Sequence, residues 1–131
     1  MMTPRTGHDG APKVAVRLLF GDATAIGPGK ANLLDAISRT GSISAAARAM
    51  GMSYRRAWLL VDSLNRSFQA RLVDTAAGGS RGGGARVTEL GMEILGRYRL
   101  IERKASACVA QEIADLQKFM APPAGGDRDA R

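Results

Sequence analysis

The chain has 131 residues, 45% of them hydrophobic and 24% charged, and a formal net charge of +7. That length suits one domain with some tail and a modest core, and no run approaches the ~18 apolar residues of a membrane span. The single cysteine, Cys108, excludes an internal disulfide, and residues 1–13 lack the apolar centre of a signal peptide, so a cytoplasmic protein with a flexible N-terminus is expected.

From residue 14, "VAVRLLF" alternates Val14, Val16, Leu18 and Phe20 on one face, which predicts a strand with a strongly apolar side. "GDATAIGPG" reads as a turn. A helix follows from about Gly29 to Thr40, with Leu33, Leu34 and Ile37 as its buried stripe and Gly41 at its end. Ser42 is a good N-cap for a short helix, "ISAAARAM", with Ile43, Ala46, Ala47 and Met50 on one face. "GMS" breaks the pattern, and Ser53 can cap a third helix from Tyr54 to Phe68 with Ala57, Leu60, Val61, Leu64 and Phe68 at helical spacing. A short helix, a tight turn containing glycine and a longer helix that opens on arginines is the arrangement of a helix-turn-helix, whose second helix lies in the major groove.

Short strands around Leu72–Val73 and in "ARVT" flank "GGSRGGG", Gly78 to Gly84. Together they predict a wing directly after the recognition helix. Glycines such as Gly79 and Gly83 permit close approach to a phosphate backbone, and Arg81 supplies charge. This reading is preferred to a linker. A nucleotide-binding P-loop is a weak alternative, because G-x-x-x-x-G-K-[ST] is absent and no lysine lies in the loop. From Thr88 to about Met120 apolar residues recur every three or four positions. Such a helix reaches roughly 50 Å and outruns a small core. Its far half, with Ile101, Ala105, Cys108, Ile113 and Leu116, therefore needs a partner, most simply a second copy. Cys108 on that stripe reads as a buried structural residue rather than a redox sensor. "APPAGGDRDAR" reads as a disordered tail.

Charge placement sharpens the reading. Residues 39–88 carry eight arginines and two aspartates, a balance of +6, whereas the other 81 residues carry eleven bases and ten acids, or +1. An all-arginine cluster favours phosphate and guanine edges, which makes double-stranded DNA the leading partner over a merely solvated basic surface.

"GSISAAARAMGMSYRRAWLLVDSLN" (Gly41 to Asn65) and "GGSRGGGARVTELGMEILGRY" (Gly78 to Tyr98) resemble the N-terminal DNA-binding domain of ModE-type molybdate-responsive regulators, winged helix-turn-helix proteins distantly similar to LysR regulators. The resemblance covers about residues 14–120. It implies a homodimer whose interface includes the N-terminal strand, hence Val16 and Leu18, as well as the last helix. In the wing, the family usually has a lysine between two glycine groups, where this chain has Ser80-Arg81. Full-length members carry a second half with paired oxyanion-binding domains, for which this chain has no counterpart. The resemblance thus implies DNA binding and no molybdate binding by this polypeptide.

The fold class expected is mainly α with a small β-hairpin: a winged helix-turn-helix over residues 14–99, a dimerisation-helix extension over 100–120, and tails at 1–13 and 121–131. The expected DNA-binding residues are Ser42, Ser44, Ser53, Tyr54, Arg55, Arg56, Gly79, Arg81, Gly83 and Arg86. Arg55 and Arg56 open the recognition helix, Ser53 is foremost a cap, and Trp58 reads as core rather than as a ligand platform. His8 and Cys108 make no metal-ligand spacing, and no nucleophile has a base, so no metal, cofactor or enzymatic activity is expected. The expected function is a transcriptional regulator that binds a pseudo-palindromic operator as a homodimer. The alternative is a chain that pairs with a full-length homologous regulator through its last helix and modulates it.

Overall fold

A computed structural model of the chain describes residues 12–76 and 84–122. The chain falls into two units, one of residues 15–102 and a second that takes in residues 103–122.

The first unit opens with an antiparallel hairpin of β1 (Leu18–Phe20) and β2 (Ala23–Ile26). The turn rests on Gly21, whose φ of 74° lies in the left-handed region that glycine tolerates. This corrects the sequence reading twice. "GDATAIGPG" contains a strand as well as a turn. The register also shifts between Leu18, opposite Ile26, and Leu19, opposite Thr24. That irregularity breaks the alternation of faces, so Ala25 and Ile26 are both buried while Phe20 is 69% exposed.

Helix α1 (Pro28–Thr40) starts on a proline, which suits a first turn that has no N–H bond to lose. It stops at Gly41, whose φ is 75° and whose N–H donates to the Ile37 carbonyl at 2.8 Å. Helices α2 (Ile43–Ala49) and α3 (Tyr54–Ser67) follow, and the three helices pack on one another. Their buried side chains (among them Leu33, Leu34, Ile37, Ala46, Val61 and Leu64) form one core.

The second hairpin pairs β3 (Val73–Thr75) with β4 (Ala85–Val87), in the register Val73 to Val87, Asp74 to Arg86 and Thr75 to Ala85. Val73, Ala85 and Val87 face the core, and Asp74 and Arg86 face solvent, as the two-residue period of a strand requires. Asn65 fastens this hairpin to α3. Its Oδ1 accepts from the N–H groups of Leu72 (2.8 Å) and Val73 (3.1 Å), and its Nδ2 donates to the Val73 carbonyl at 3.1 Å.

Helix α4 (Glu89–Cys108) is seated on the same strand. The Thr88 N–H donates to the Leu72 carbonyl at 2.9 Å, its hydroxyl donates to the Arg71 carbonyl at 2.9 Å, and that hydroxyl caps the Gly91 N–H at 3.0 Å. Gly91 is required here, because a Cβ would collide with the Leu72 carbonyl oxygen and would stand 2.6 Å from Val87 Cγ1. One turn and more along, Tyr98 is buried and its hydroxyl donates to the Val16 carbonyl at 2.6 Å. Burial, reinforced by the Glu102 carboxylate, pushes that phenol above its ordinary pKa.

The helix expected to run unbroken to Met120 is interrupted. Helix α5 (Ala110–Gln117) follows α4 after a turn at Val109, whose ψ of 18° departs from helical geometry. Proline and glycine are absent at this point, and Cys108 and the β-branched Val109 are weaker helix formers than the alanines on either side. Cys108, expected to be buried, is exposed at the end of α4. Among the described residues no helix is long and apolar enough to cross a membrane.

Two glycines in α4 give opposite expectations. Gly91→Ala should destabilise the protein by about 1–3 kcal/mol through overpacking against backbone. Gly96→Ala, which meets open space, should stabilise it by roughly 0.5–1 kcal/mol through helix propensity. Urea titrations of both variants check this. Asn65→Ala leaves the buried Leu72 and Val73 N–H groups without a partner and should cost about 2–3 kcal/mol, read in the same titration.

Candidate nucleic-acid interface

The turn between α2 and α3 is built from backbone bonds. The Gly51 N–H donates to the Arg48 carbonyl at 3.2 Å, the Met52 N–H donates to the Ala47 carbonyl at 3.0 Å, and Gly51 takes a φ of 68°. A serine caps each helix. Ser42 Oγ accepts from the Ala45 N–H at 3.0 Å, and Ser53 Oγ accepts from the Arg56 N–H at 3.0 Å. Ser44 is exposed beside the first cap, its hydroxyl 3.3 Å from that of Ser42. Both hydroxyls at the start of α2 are therefore near solvent while one does structural work.

Helix α3 turns one face inward and one outward. Ala57, Val61 and Leu64 are buried, while Trp58 and Leu60 are half-buried against the core. The Trp58 indole N–H donates to the Tyr54 hydroxyl, and the two rings meet edge to face with centroids 6.5 Å apart. Tyr54 is thereby held beside the helix axis with its ring largely exposed. The outward face carries Arg55, Leu59, Asp62 and Arg66, which fall within about 60° of one another at 3.6 residues per turn. Arg56 lies at its edge. Leu59, 56% exposed, stands on this face and is a residue that the sequence reading did not single out. The signal was present: it is the one leucine of the helix that stands off the apolar stripe, among charges.

The electrostatics are one-sided. The first turn of α3 has no acidic residue and two arginines. A helix N-terminus is already the positive end of the macrodipole, so two cations there oppose helix stability by roughly 0.3–1 kcal/mol each and concentrate positive potential on one spot. Among the described residues Arg48, Arg55, Arg56 and Arg71 have no acidic partner, whereas Arg66 pairs with Asp62 at 3.0 Å and Arg86 with Asp74 at 3.7 Å. Both of those pairs are exposed and screened, and hold their arginines only weakly.

Arg86 stands on the solvent face of the second hairpin. The ladder there continues past the strands, since the Ala76 N–H donates to the Gly84 carbonyl at 2.9 Å. The Ala85 N–H donates to the Gly41 carbonyl at 2.9 Å, which ties the hairpin to the end of α1. Gly79, Arg81 and Gly83 lie outside the described residues. Of the residues expected at a dimer interface, Val16 and Leu18 are half-buried against the core of the first unit, and Ile101 is exposed on α4. In the second unit Ala105 and Ile113 are half-buried, and Cys108 and Leu116 are exposed. Helix α5 has no buried residue. Among the described residues no group of three or more His, Cys, Asp or Glu side chains could hold a metal ion.

Comparison with known proteins agrees with this geometry. Residues 30–92 match the family described as bacterial regulatory helix-turn-helix protein, lysR family. The chain is 43% identical over 88 residues to the molybdenum-pterin-binding protein MopA of Rhodobacter capsulatus, covering 67% of this chain and 33% of that protein. It is 43% identical over 72 residues to the molybdenum transport protein ModE of Herbaspirillum seropedicae, covering 55% of this chain and 27% of the relative. It is 38% identical over 74 residues to the DNA-binding transcriptional dual regulator ModE of Escherichia coli (strain K12), covering 56% and 28%. The chain thus spans about a third of the length of the curated relatives it matches. An arginine-tipped helix after a glycine turn, two serine caps and a second hairpin coincide with the matched segment, and residues 30–92 are similar to the lysR family of regulatory helix-turn-helix domains and consistent with a ModE-like DNA-binding domain.

Proposed function

We propose that this chain is a sequence-specific transcriptional regulator of the cytoplasm that binds a pseudo-palindromic operator as a homodimer. The observation that carries the reading is the pair of acid-free arginines, Arg55 and Arg56, on the first turn of α3. Cations placed against a helix dipole serve an anionic partner better than they serve the fold. In this reading the start of α3 enters the major groove, and Arg55 and Arg56 reach base edges. Tyr54, Ser42, Ser44 and Ser53 lie along adjacent phosphates, and Arg86 grips the backbone beside the groove. Gly79, Arg81 and Gly83 are assigned to the wing tip on sequence grounds alone. The names of the relatives add molybdenum-related genes as the targets to try first. Binding by the 131 residues themselves is expected to be indifferent to molybdate.

A gel shift with DNA upstream of the chain's own gene and its neighbours, run with and without molybdate, tests the reading. Arg55→Ala and Arg56→Ala should each weaken specific binding by about 1–3 kcal/mol and relax specificity at one base pair, with little change in non-specific affinity. Equal losses on every sequence would make them phosphate contacts instead.

The homodimer is supported by the apolar side chains that residues 100–120 leave exposed, among them Leu100, Ile101, Leu116 and Phe119. Ala105, Cys108 and Ile113 are assigned to the same interface, with Val16 and Leu18 beside it. The same surface also favours a second reading, in which the chain pairs with a full-length homologue and modulates it. Ile101→Glu combined with Leu116→Glu should shift the protein from dimer to monomer in sedimentation without unfolding it, since both side chains are exposed. A wild-type chain that is monomeric alone, and forms a stable pair only when a homologue is added, would favour the second reading.

A further inference from the structure

We infer that Leu59 is a base-reading residue of α3 and selects a thymine, through its C5-methyl group, in each half of the operator. The inference rests on the reading of α3 as the helix that lies in the major groove.

An exposed leucine is ordinary on a protein surface. Its surroundings are what carry the inference. Leu59 is 56% exposed at the centre of the outward face of α3, where its neighbours are Arg55, Asp62 and Arg66, with Arg56 at the edge. The core has no use for it, since Ala57, Val61 and Leu64 already fill the inward face. A charged partner fits this face and an apolar one does not, because three arginines frame the leucine. The face carries one carboxylate, on Asp62, which lies 3.0 Å from Arg66 Nε and is outnumbered by the three arginines. A DNA groove meets the face with phosphates at its rims and bases at its floor.

A leucine on that floor can neither donate nor accept a hydrogen bond. The apolar feature that the major groove of unmodified DNA presents is the thymine methyl. Leu59 is one helical turn beyond Arg55, about 6 Å along the axis. Against a base step of ~3.4 Å, the two side chains face bases roughly two steps apart. Arginine's bidentate partner is guanine. The element read by one protomer is therefore a guanine opposite Arg55 and a thymine about two base pairs away opposite Leu59.

The test uses the full chain. A preferred site is selected from random DNA, and each of its thymines is then replaced in turn by deoxyuridine, which removes the methyl and keeps every hydrogen-bonding group. One thymine per half-site should be sensitive. Losing its methyl should weaken wild-type binding about fourfold, and losing both in a palindromic site about fifteenfold, the value of one buried methyl at each. Leu59→Ala should bind thymine and deoxyuridine sites equally and should no longer select thymine at that position. Circular dichroism checks that the variant folds.

Thymines that are all indifferent in the wild type, or equally sensitive in Leu59→Ala, overturn the inference. So does a Leu59→Ala protein that has lost its self-association in sedimentation, which would place the leucine at a protein contact. Failure to select any site overturns the DNA reading itself, and the inference with it. A selected site without a methyl effect overturns the inference alone.

Discussion

The clasp made by Asn65 is the constraint on which the geometry of the interface depends. One side-chain amide near the end of α3 satisfies two backbone donors and one acceptor of the segment Leu72–Val73. Buried backbone groups must find partners, and the cost of leaving them unpaired exceeds what an ordinary hydrogen bond contributes. The strand that leaves the recognition helix is thus set in direction and register by the helix itself. β4 and the start of α4 inherit that setting. β4 pairs with β3, Thr88 bonds back to Arg71 and Leu72, and α4 begins where Gly91 lets it press on the Leu72 carbonyl. Asn65 joins α3 to the second hairpin, and Thr88 joins that hairpin to the start of α4.

The opposite policy governs the start of α3. Its caps are sound, but its charges work against it. Arg55 and Arg56 add to the positive end of the helix, and no acid of the first turn relieves them. Lys30 shows what the protein does with a cation it uses structurally. The ammonium of Lys30 donates to the Thr24 carbonyl at 2.7 Å and to the Ser63 hydroxyl at 2.8 Å, and burial lowers its pKa. That group is folded into the molecule, whereas the two arginines are held out of it.

Much of the fold was legible where the determinants are local. The serine caps, the glycine at the turn and the stripe Ala57–Val61–Leu64 lie within a few residues of the helices they define, and they located α2 and α3 nearly to the residue. The wing strands were legible because a glycine-rich run separates them. Features that depend on distant partners were not. The strand Ala23–Ile26 alternates alanine with the β-favouring Thr24 and Ile26 between turn residues, too short a run to announce itself, and it is paired by β1 beside it. The exposure of Phe20 follows from a register shift that no alternation pattern encodes. The break at Val109 had no glycine or proline to announce it. Asn65 was visible only as a polar residue near a helix end, since its partners are seven and eight residues away in sequence and across a turn in space.

The wing's base is closed before its tip begins. β3 is held by Asn65 and β4 by the Gly41 carbonyl, and the Ala76–Gly84 hydrogen bond seals the ladder beyond the last strand pair. The segment from residue 77 to residue 83 thus starts and ends at two points already fixed by the rest of the protein. Lengthening a loop between fixed ends costs little, about 0.6 kcal/mol for each doubling. The number of residues there is free to change without moving the recognition helix. Under the DNA reading proposed above, the length of chain between Ala76 and Gly84 can therefore change independently of the residues assigned to base contact.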